Sequence, residues 1–360
     1  MDSLFKSVGA LLEEAIKNRY FPGAALCIGK RNDILYQTCK GRLSYDDTAP
    51  TVTDSTLFDM ASVTKIMCTS MLCFQAMEEG KLWLEDTLGR FFPDAPDDKA
   101  QITVEQLMTH TSGVIWHFFL SEECADRADV TNTILHYPLS TKPGTQTEYS
   151  CMGFMLLRAI LEKIYGETLN ILFQRKVAEP LGLKDTGFCP NISKYEIAPT
   201  EQQEDGSFLQ GIVHDENARF LGGVSANAGL FSTLGDVRDF VKMLACAGRS
   251  GDCRFLSPAT LKAAVLNRTE GKIHNRGLGF KLYGGQDNFM GDFMKPGAFG
   301  HTGFSGVSFA VEEFGGLWIV LLSNHIHPLR GNEEALRFRR LIYNHITALY
   351  HSVQADSFFD

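Results

Sequence analysis

Apolar positions near the start of the chain fall at helical spacing, with Leu4, Val8, Leu11, Leu12, Ala15 and Ile16 on one face, and the pattern stops at "YFPG". The next two runs, "GAALCIGK" and "DILYQTCKG", carry β-branched and apolar residues across a tight Arg31–Asn32–Asp33 turn and predict a hairpin. A polar loop, "DDTAPTVTDST", leads to a short strand, "LFDM", after which Ser62 opens an apolar helix predicted to run to about Glu79. From about 80 to 210 the segments "VEQLMTH", "ADVTNTILHY", "CMGFMLLRAILEKIYG" and "LNILFQRKVAEPLG" all show helical spacing between polar or Pro/Gly-bearing loops. Beyond them helices such as "DVRDFVKMLACAG" and "PATLKAAVLNR" mix with strands. The clearest sheet signal is "SGVSFAVEEFGGLWIVLLSN", two strands around a Glu-Phe-Gly-Gly turn, and "EEALRFRRLIYNHITALY" closes the chain as a helix.

This order predicts a two-part α/β architecture. Residues 1–79 and 211–360 supply an antiparallel sheet flanked by the terminal helices, residues 80–210 form an inserted, mostly helical part, and the active site lies in the cleft between them. No internal repeat or low-complexity run interrupts the plan.

Composition narrows the function classes. At 360 residues and 44% hydrophobic content the chain can bury a large core. Its net charge of −9 comes from interspersed acids without a basic stripe, which argues against nucleic acid as a partner. The acids within "MDSLFKSVGALLEEAIKNRYFPG" make that segment an amphipathic helix and not a signal peptide, and no run suits a bilayer. Nine cysteines, an odd number without a Cys-x-x-Cys pair, suit free thiols in a reducing compartment, so a cytoplasmic location is expected. The histidines lack ligand spacing except His325 and His327, which read as loop residues at a strand end; neither a metal nor another cofactor is expected.

Three short stretches carry candidate chemistry. Ser-x-x-Lys occurs twice, in "SLFK" at Ser3 and in "SVTK" at Ser62, and chance alone supplies a match on the order of once in such a chain. Ser62 differs by its place at a strand-to-helix junction, where backbone N–H groups and the helix dipole favour an alkoxide. Lys65 follows one turn later in an apolar sequence that would bury its stem and lower its pKa. The plain alternative is an N-cap serine with a surface lysine. "TEYSCMG" offers Tyr149, although Ser150 also fits a simple N-cap, and "GHTGFSG" offers His301, Thr302 and Gly303, although it also fits a glycine-bearing strand end.

Taken together and in this order, Ser62-x-x-Lys65, Tyr149-Ser-Cys151 and His301-Thr302-Gly303 resemble the serine β-lactamase and penicillin-binding protein superfamily. The likeness is to its class C branch, with the related D-aminopeptidases, DD-carboxypeptidases and carboxylesterases. "LMTHTSG", "GIVHDENA" and "GGVSANAGLFSTLGDVRDF" add to it, and it covers nearly the whole chain. The resemblance implies that Ser62 forms an acyl-enzyme, that Lys65 shares its proton, and that Tyr149, with its phenol pKa lowered by Lys65, acts as general base. It implies an oxyanion hole from the backbone N–H groups of Ser62 and Phe304, with His301, Thr302 and Gly303 lining the substrate site. Trp116 and His117 are expected to line the cleft as well, and His110 and His214 are held as weaker pocket candidates.

Two positions depart from the family pattern. Cys151 stands where lactamase relatives usually have asparagine, whose amide can bond both the lysine and a substrate amide; Cys151 also fits a small buried residue at a helix start. His301 stands where many lactamases and transpeptidases have a permanently charged lysine, and histidine is only partly charged near neutral pH. The expected activity is serine hydrolysis of a small ester, amide or peptide, including D-amino-acid-containing cell-wall peptides. The alternatives are a β-lactamase proper and a non-catalytic protein that traps acyl groups or senses ligands. Oligomeric state is not legible.

Overall fold

The computed structural model describes residues 4–356, so Ser3 of the first Ser-x-x-Lys match lies outside the described residues. A six-stranded antiparallel sheet forms the centre: β1 (Gly23–Lys30), β2 (Asp33–Gly41), β3 (Lys281–Leu282), β4 (Phe299–Thr302), β5 (Ser308–Val311) and β6 (Leu317–Ser323). Their spatial order is β2-β1-β6-β5-β4-β3, so the N-terminal hairpin and the C-terminal strands share one sheet.

Both faces of this sheet are covered, which explains why β1 and β6 read as unbroken apolar runs. Alternate residues serve opposite cores. Ala24, Leu26 and Ile28 of β1, with Leu317, Ile319 and Leu321 of β6, pack under α1 (Lys6–Lys17) and the C-terminal helix, Glu333–Asp356. Ala25, Cys27, Trp318, Val320 and Leu322 face the larger core, which includes the helices α2 (Met71–Glu78), α3 (Cys151–Tyr165) and α4 (Leu234–Ala245). The C-terminal helix is α5.

The helix predicted from Ser62 to Glu79 is not continuous. Ala61–Val63 is a 3₁₀ turn, Lys65–Ser70 a π-helical stretch, and only Met71–Glu78 is α-helical. Ala61, at φ +43°, lies in the left-handed region, so the chain enters Ser62 through a tight reversal and not through an N-cap. Met60 holds the cap position without a side-chain bond, which removes the alternative of Ser62 as a simple capping serine. A wide turn at Lys65–Ser70 is the local irregularity often found next to functional groups. Ser150 does cap α3: its Oγ accepts from Gly153 N at 3.0 Å.

Candidate active site

The Ser62 turn is held from below by Asp59, at the end of the short strand Phe58–Asp59. This carboxylate accepts from Ala61 N at 2.8 Å and from His214 N at 2.7 Å, while Ser305 Oγ donates to the Asp59 carbonyl at 2.6 Å. One buried residue therefore ties together the turn carrying Ser62, the loop carrying His214 and the turn following β4. Gly303 completes the junction, because a Cβ there would lie 2.7 Å from the Met60 carbonyl oxygen and 2.5 Å from Val307 Cγ2. Only glycine lets the end of β4 approach the Ser62 turn this closely.

Lys65 is fully buried and points back at Ser62. Its Nζ donates to Ser62 Oγ at 3.3 Å, to the Asn227 carbonyl at 3.0 Å and to Cys151 Sγ at 3.5 Å, and it lies 4.8 Å from the centre of the Tyr149 ring. Burial works against its charge, but Cys151 and Tyr149, wherever either ionises, pull the other way, and the net direction is upward from the usual lysine range. Burial likewise pushes the Tyr149 phenol up, with Lys65 pulling the other way and losing. The sequence argument expected Lys65 lowered and Tyr149 lowered; both net shifts run the other way. Desolvation of the phenol exceeds the attraction of one neighbouring ammonium, and the resting pair is lysine protonated and tyrosine neutral.

Ser62, Tyr149, His301, Thr302, Gly303 and Phe304 line one cleft of about 660 Å³. His301 is fully buried, its Nδ1 lies 2.8 Å from the Thr302 carbonyl, and its Nε2 has no partner. Burial, reinforced by Lys281, Lys65 and Arg276, drives its pKa well below the usual histidine value, so the expected partial charge is absent and the ring is neutral. Phe304 is half exposed at the cleft mouth, between the His214 ring at 5.6 Å and the Arg330 guanidinium at 5.9 Å.

The other expected residues divide. Cys151 begins α3 with its thiol on Lys65, and burial raises its pKa, which keeps it protonated and a poor second nucleophile. Trp116 and His117 do not line this cleft. Trp116 is 58% exposed and meets the site only through its carbonyl, which accepts from Cys151 N, while His117 Nε2 sits 3.3 Å from Asn217 Nδ2. Their aromatic neighbours had suggested a wall of the cleft, but the two rings meet each other in a tilted contact and His117 meets Phe119 edge-on. His110 lies beneath the site: its Nδ1 accepts from Ser150 N at 3.0 Å and its ring packs 4.4 Å from Tyr149.

Four site residues escaped the sequence argument. Asn227 supplies the shortest contact to Lys65, and polar "SANAG" inside an apolar stretch was its only signal. Arg276, Lys281 and Arg339 line the cleft beyond Tyr149, the first two from a stretch that reads as loop and the third from the C-terminal helix.

The antiparallel sheet with its covering helices is the fold of the serine β-lactamase and penicillin-binding protein superfamily. EstCE1, described as "a hydrolase with promiscuous acyltransferase activity", superposes with a TM-score of 0.76 at 22% identity, over 95% of this chain and 98% of its own. The chain belongs to the Beta-lactamase family, whose model matches residues 8–344. It is 30% identical over 348 residues to the "Putative D-alanyl-D-alanine carboxypeptidase" of Escherichia coli (strain K12), covering 85% of this chain and 79% of that protein. It is 28% identical over 353 residues to the "N-acetylmuramyl-L-alanine amidase" of Bacillus subtilis (strain 168), covering 87% and 80%.

Proposed function

We propose that this protein is a serine hydrolase that forms an acyl-enzyme on Ser62 from small esters or amides, with D-amino-acid-containing cell-wall peptides among the natural candidates. The observation that carries this is the 3.3 Å contact between Lys65 Nζ and Ser62 Oγ at the floor of a cleft shared with Tyr149. Ser62 Oγ attacks the carbonyl carbon while Tyr149, acting in its deprotonated form beside the Lys65 ammonium, takes the serine proton and becomes the neutral phenol. The backbone N–H groups of Ser62 and Phe304 receive the oxyanion, and Tyr149 returns the proton to the leaving group. Water then attacks the ester on Ser62 by the reverse route. Residues 80–210 form the helical side of this cleft, and 1–79 with 211–360 the sheet side.

Names of relatives support hydrolysis and differ in substrate, from carboxypeptidase to amidase to promiscuous hydrolase. A neutral His301 and a thiol at Cys151 weigh against efficient turnover of β-lactams and amides, so esters are the better first substrates. The test is mass spectrometry after fluorophosphonate treatment, together with p-nitrophenyl ester hydrolysis. One adduct on the Ser62 peptide and steady turnover abolished by Ser62→Ala are expected. A labelled Cys151 peptide, or a single acylation without turnover, would overturn it, the second outcome pointing to an acyl trap. Comparable rates on a chromogenic cephalosporin would make it a β-lactamase.

A further inference from the structure

His110, beneath the site, is an imidazole in a place that does not suit one. It follows the short helix Val104–Met108, where Thr111 N donates back to the Gln106 carbonyl at 2.9 Å and the chain reverses. At φ +59° His110 is in the left-handed region, the helix stop that glycine or asparagine takes without strain. The ring is buried against Tyr149 and Phe154, at 4.4 and 5.2 Å between centres, and its Nε2 has no hydrogen-bond partner. A residue needed only to end the helix would be neither strained nor left with a bare polar atom.

The contacts of His110 converge on the tyrosine. Its carbonyl accepts from Glu148 N at 2.8 Å and its Nδ1 from Ser150 N at 3.0 Å, so one residue holds the backbone on both sides of Tyr149. The bond from Ser150 fixes the tautomer: a backbone N–H only donates, so Nδ1 keeps its lone pair and the ring proton sits on Nε2. Protonating the ring would put a hydrogen on Nδ1 and turn that bond into a clash. Burial, with the charges of Arg276 and Lys65 nearby, holds the His110 pKa well below the usual histidine value, which keeps the ring neutral and the bond intact. His301 has the opposite tautomer, since its Nδ1 donates to the Thr302 carbonyl.

We propose that His110 is the positioning residue of Tyr149: its carbonyl and Nδ1 fix the backbone on either side of the tyrosine, and its ring lies against the phenol ring, aiming the hydroxyl at Ser62 and keeping water from its flank. The proposal rests on the serine hydrolase reading and deepens it by naming what holds the base in place. His110 does not line the cleft and acts through Tyr149 alone. Its loss therefore falls on kcat more than on KM. It also changes when Tyr149 ionises. Burial is what raises the phenol pKa, so a side chain that leaves room for water beside the ring lowers it. The other groups facing the tyrosine, Lys65, Ser62, Cys151, Arg276 and His301, stay in place in such a variant.

The test uses His110→Ala and His110→Asn with p-nitrophenyl butyrate. Alanine removes both ring and acceptor, whereas asparagine suits the left-handed backbone and offers Ser150 N a side-chain carbonyl, but is smaller than the ring. In His110→Ala kcat should fall about a hundredfold while KM changes less than about threefold, and His110→Asn should recover kcat to within about tenfold of wild type. In both variants kcat/KM should level off between about pH 7 and about pH 9, where the wild type is still climbing. A helix stop alone would lower the melting temperature without moving this profile. Asparagine no better than alanine, a change confined to KM, or wild-type-shaped profiles in both variants would each overturn the proposal. Nitrogen-15 NMR of the histidines in Ser62→Ala needs no turnover and separates this proposal from the hydrolase reading. The resonances missing from Ser62→Ala/His110→Asn belong to His110, and should show a neutral ring with its proton on Nε2 down to about pH 5. That pattern together with no ester turnover in the wild type would sink the hydrolase reading and leave the clamp standing. A proton on Nδ1, or titration near the usual histidine value, would overturn the clamp whatever the esters show.

Discussion

Replacing Lys65 by methionine separates the catalytic reading from a structural one. Lys65 is an ammonium with no exposed surface and no carboxylate in a salt bridge among the described residues; its hydrogen-bond partners are Ser62 Oγ, the Asn227 carbonyl and Cys151 Sγ. A hydrogen bond from a charged donor is worth about 1.5–3 kcal/mol, so losing the contact to the reacting oxygen alone slows acylation about ten- to a hundredfold. Losing the field that stabilises a Tyr149 phenolate adds to this, and the combined fall in kcat/KM should be at least about a hundredfold. Stability behaves differently. Taking an isolated ammonium out of water costs several kcal/mol, whereas methionine keeps the apolar stem and leaves the Asn227 carbonyl bare at about 1–3 kcal/mol. These terms oppose each other, so the melting temperature should stay within about 4 °C of wild type or rise. The assay is initial and burst-phase kinetics on p-nitrophenyl butyrate beside a calorimetric melt. Near-normal kcat/KM would refute the relay, and an activity loss accompanied by a melting temperature lower by more than about 10 °C would show that Lys65 holds the fold instead.

Because the Tyr149 phenol is raised by burial, the fraction able to accept a proton grows as pH rises; kcat/KM for a neutral ester should climb from about pH 7 to about 9 without levelling, and a plateau below about pH 7 would contradict the assignment. Tyr149→Phe should lower acylation at least about a hundredfold and remove that slope. In Gly303→Ala the new methyl meets the Met60 carbonyl and Val307, so both melting temperature and kcat should drop, with a cost of about 1–3 kcal/mol in a denaturant titration. Asp59→Asn loses one of the two carboxylate acceptors that fix Ala61 N and His214 N, so kcat should fall more than KM changes; an effect on KM alone would place Asp59 outside the positioning of the Ser62 turn.

Four of the six strands, β1, β2, β5 and β6, were legible because they are apolar runs punctuated by turns, and the register brings "GAALCIGK" against "LWIVLLS" as their shared hydrophobicity suggests, whereas β3 lies in a stretch that reads as loop. Ser62, Lys65, Tyr149 and His301 were legible through motif order, although they lie far apart in sequence. The backbone around Ser62 was not. Nothing in "MASVTK" signals a left-handed Ala61 or a π-helical turn at Lys65; the Ala61 turn is held by the Asp59 carboxylate and by the approach of Gly303 from elsewhere in the chain. The pKa directions were missed for a related reason: proximity of Lys65 to Tyr149 can be guessed from a motif, but the depth at which both are buried depends on how the helices close over them. Arg339 was hidden by "LRFRRLIY", where one buried arginine of three is indistinguishable until α5 is placed on the sheet.

The replacement of asparagine by Cys151 takes on a different weight once the partners of Lys65 are resolved. A thiol is a weak acceptor, and its 3.5 Å contact is the longest of the three that Lys65 makes. The shortest, at 3.0 Å, goes to a backbone carbonyl, that of Asn227, and a backbone carbonyl does not depend on residue type at that position. Lys65 is therefore oriented largely without position 151, and the reacting geometry at Ser62 tolerates the thiol. What the thiol cannot replace is the amide N–H₂ that an asparagine would turn toward a substrate carbonyl or amide. The consequence of the exchange falls on the substrate, where an ester loses less than an amide, and the binding energy that an amide contact would have supplied must come from another part of the cleft.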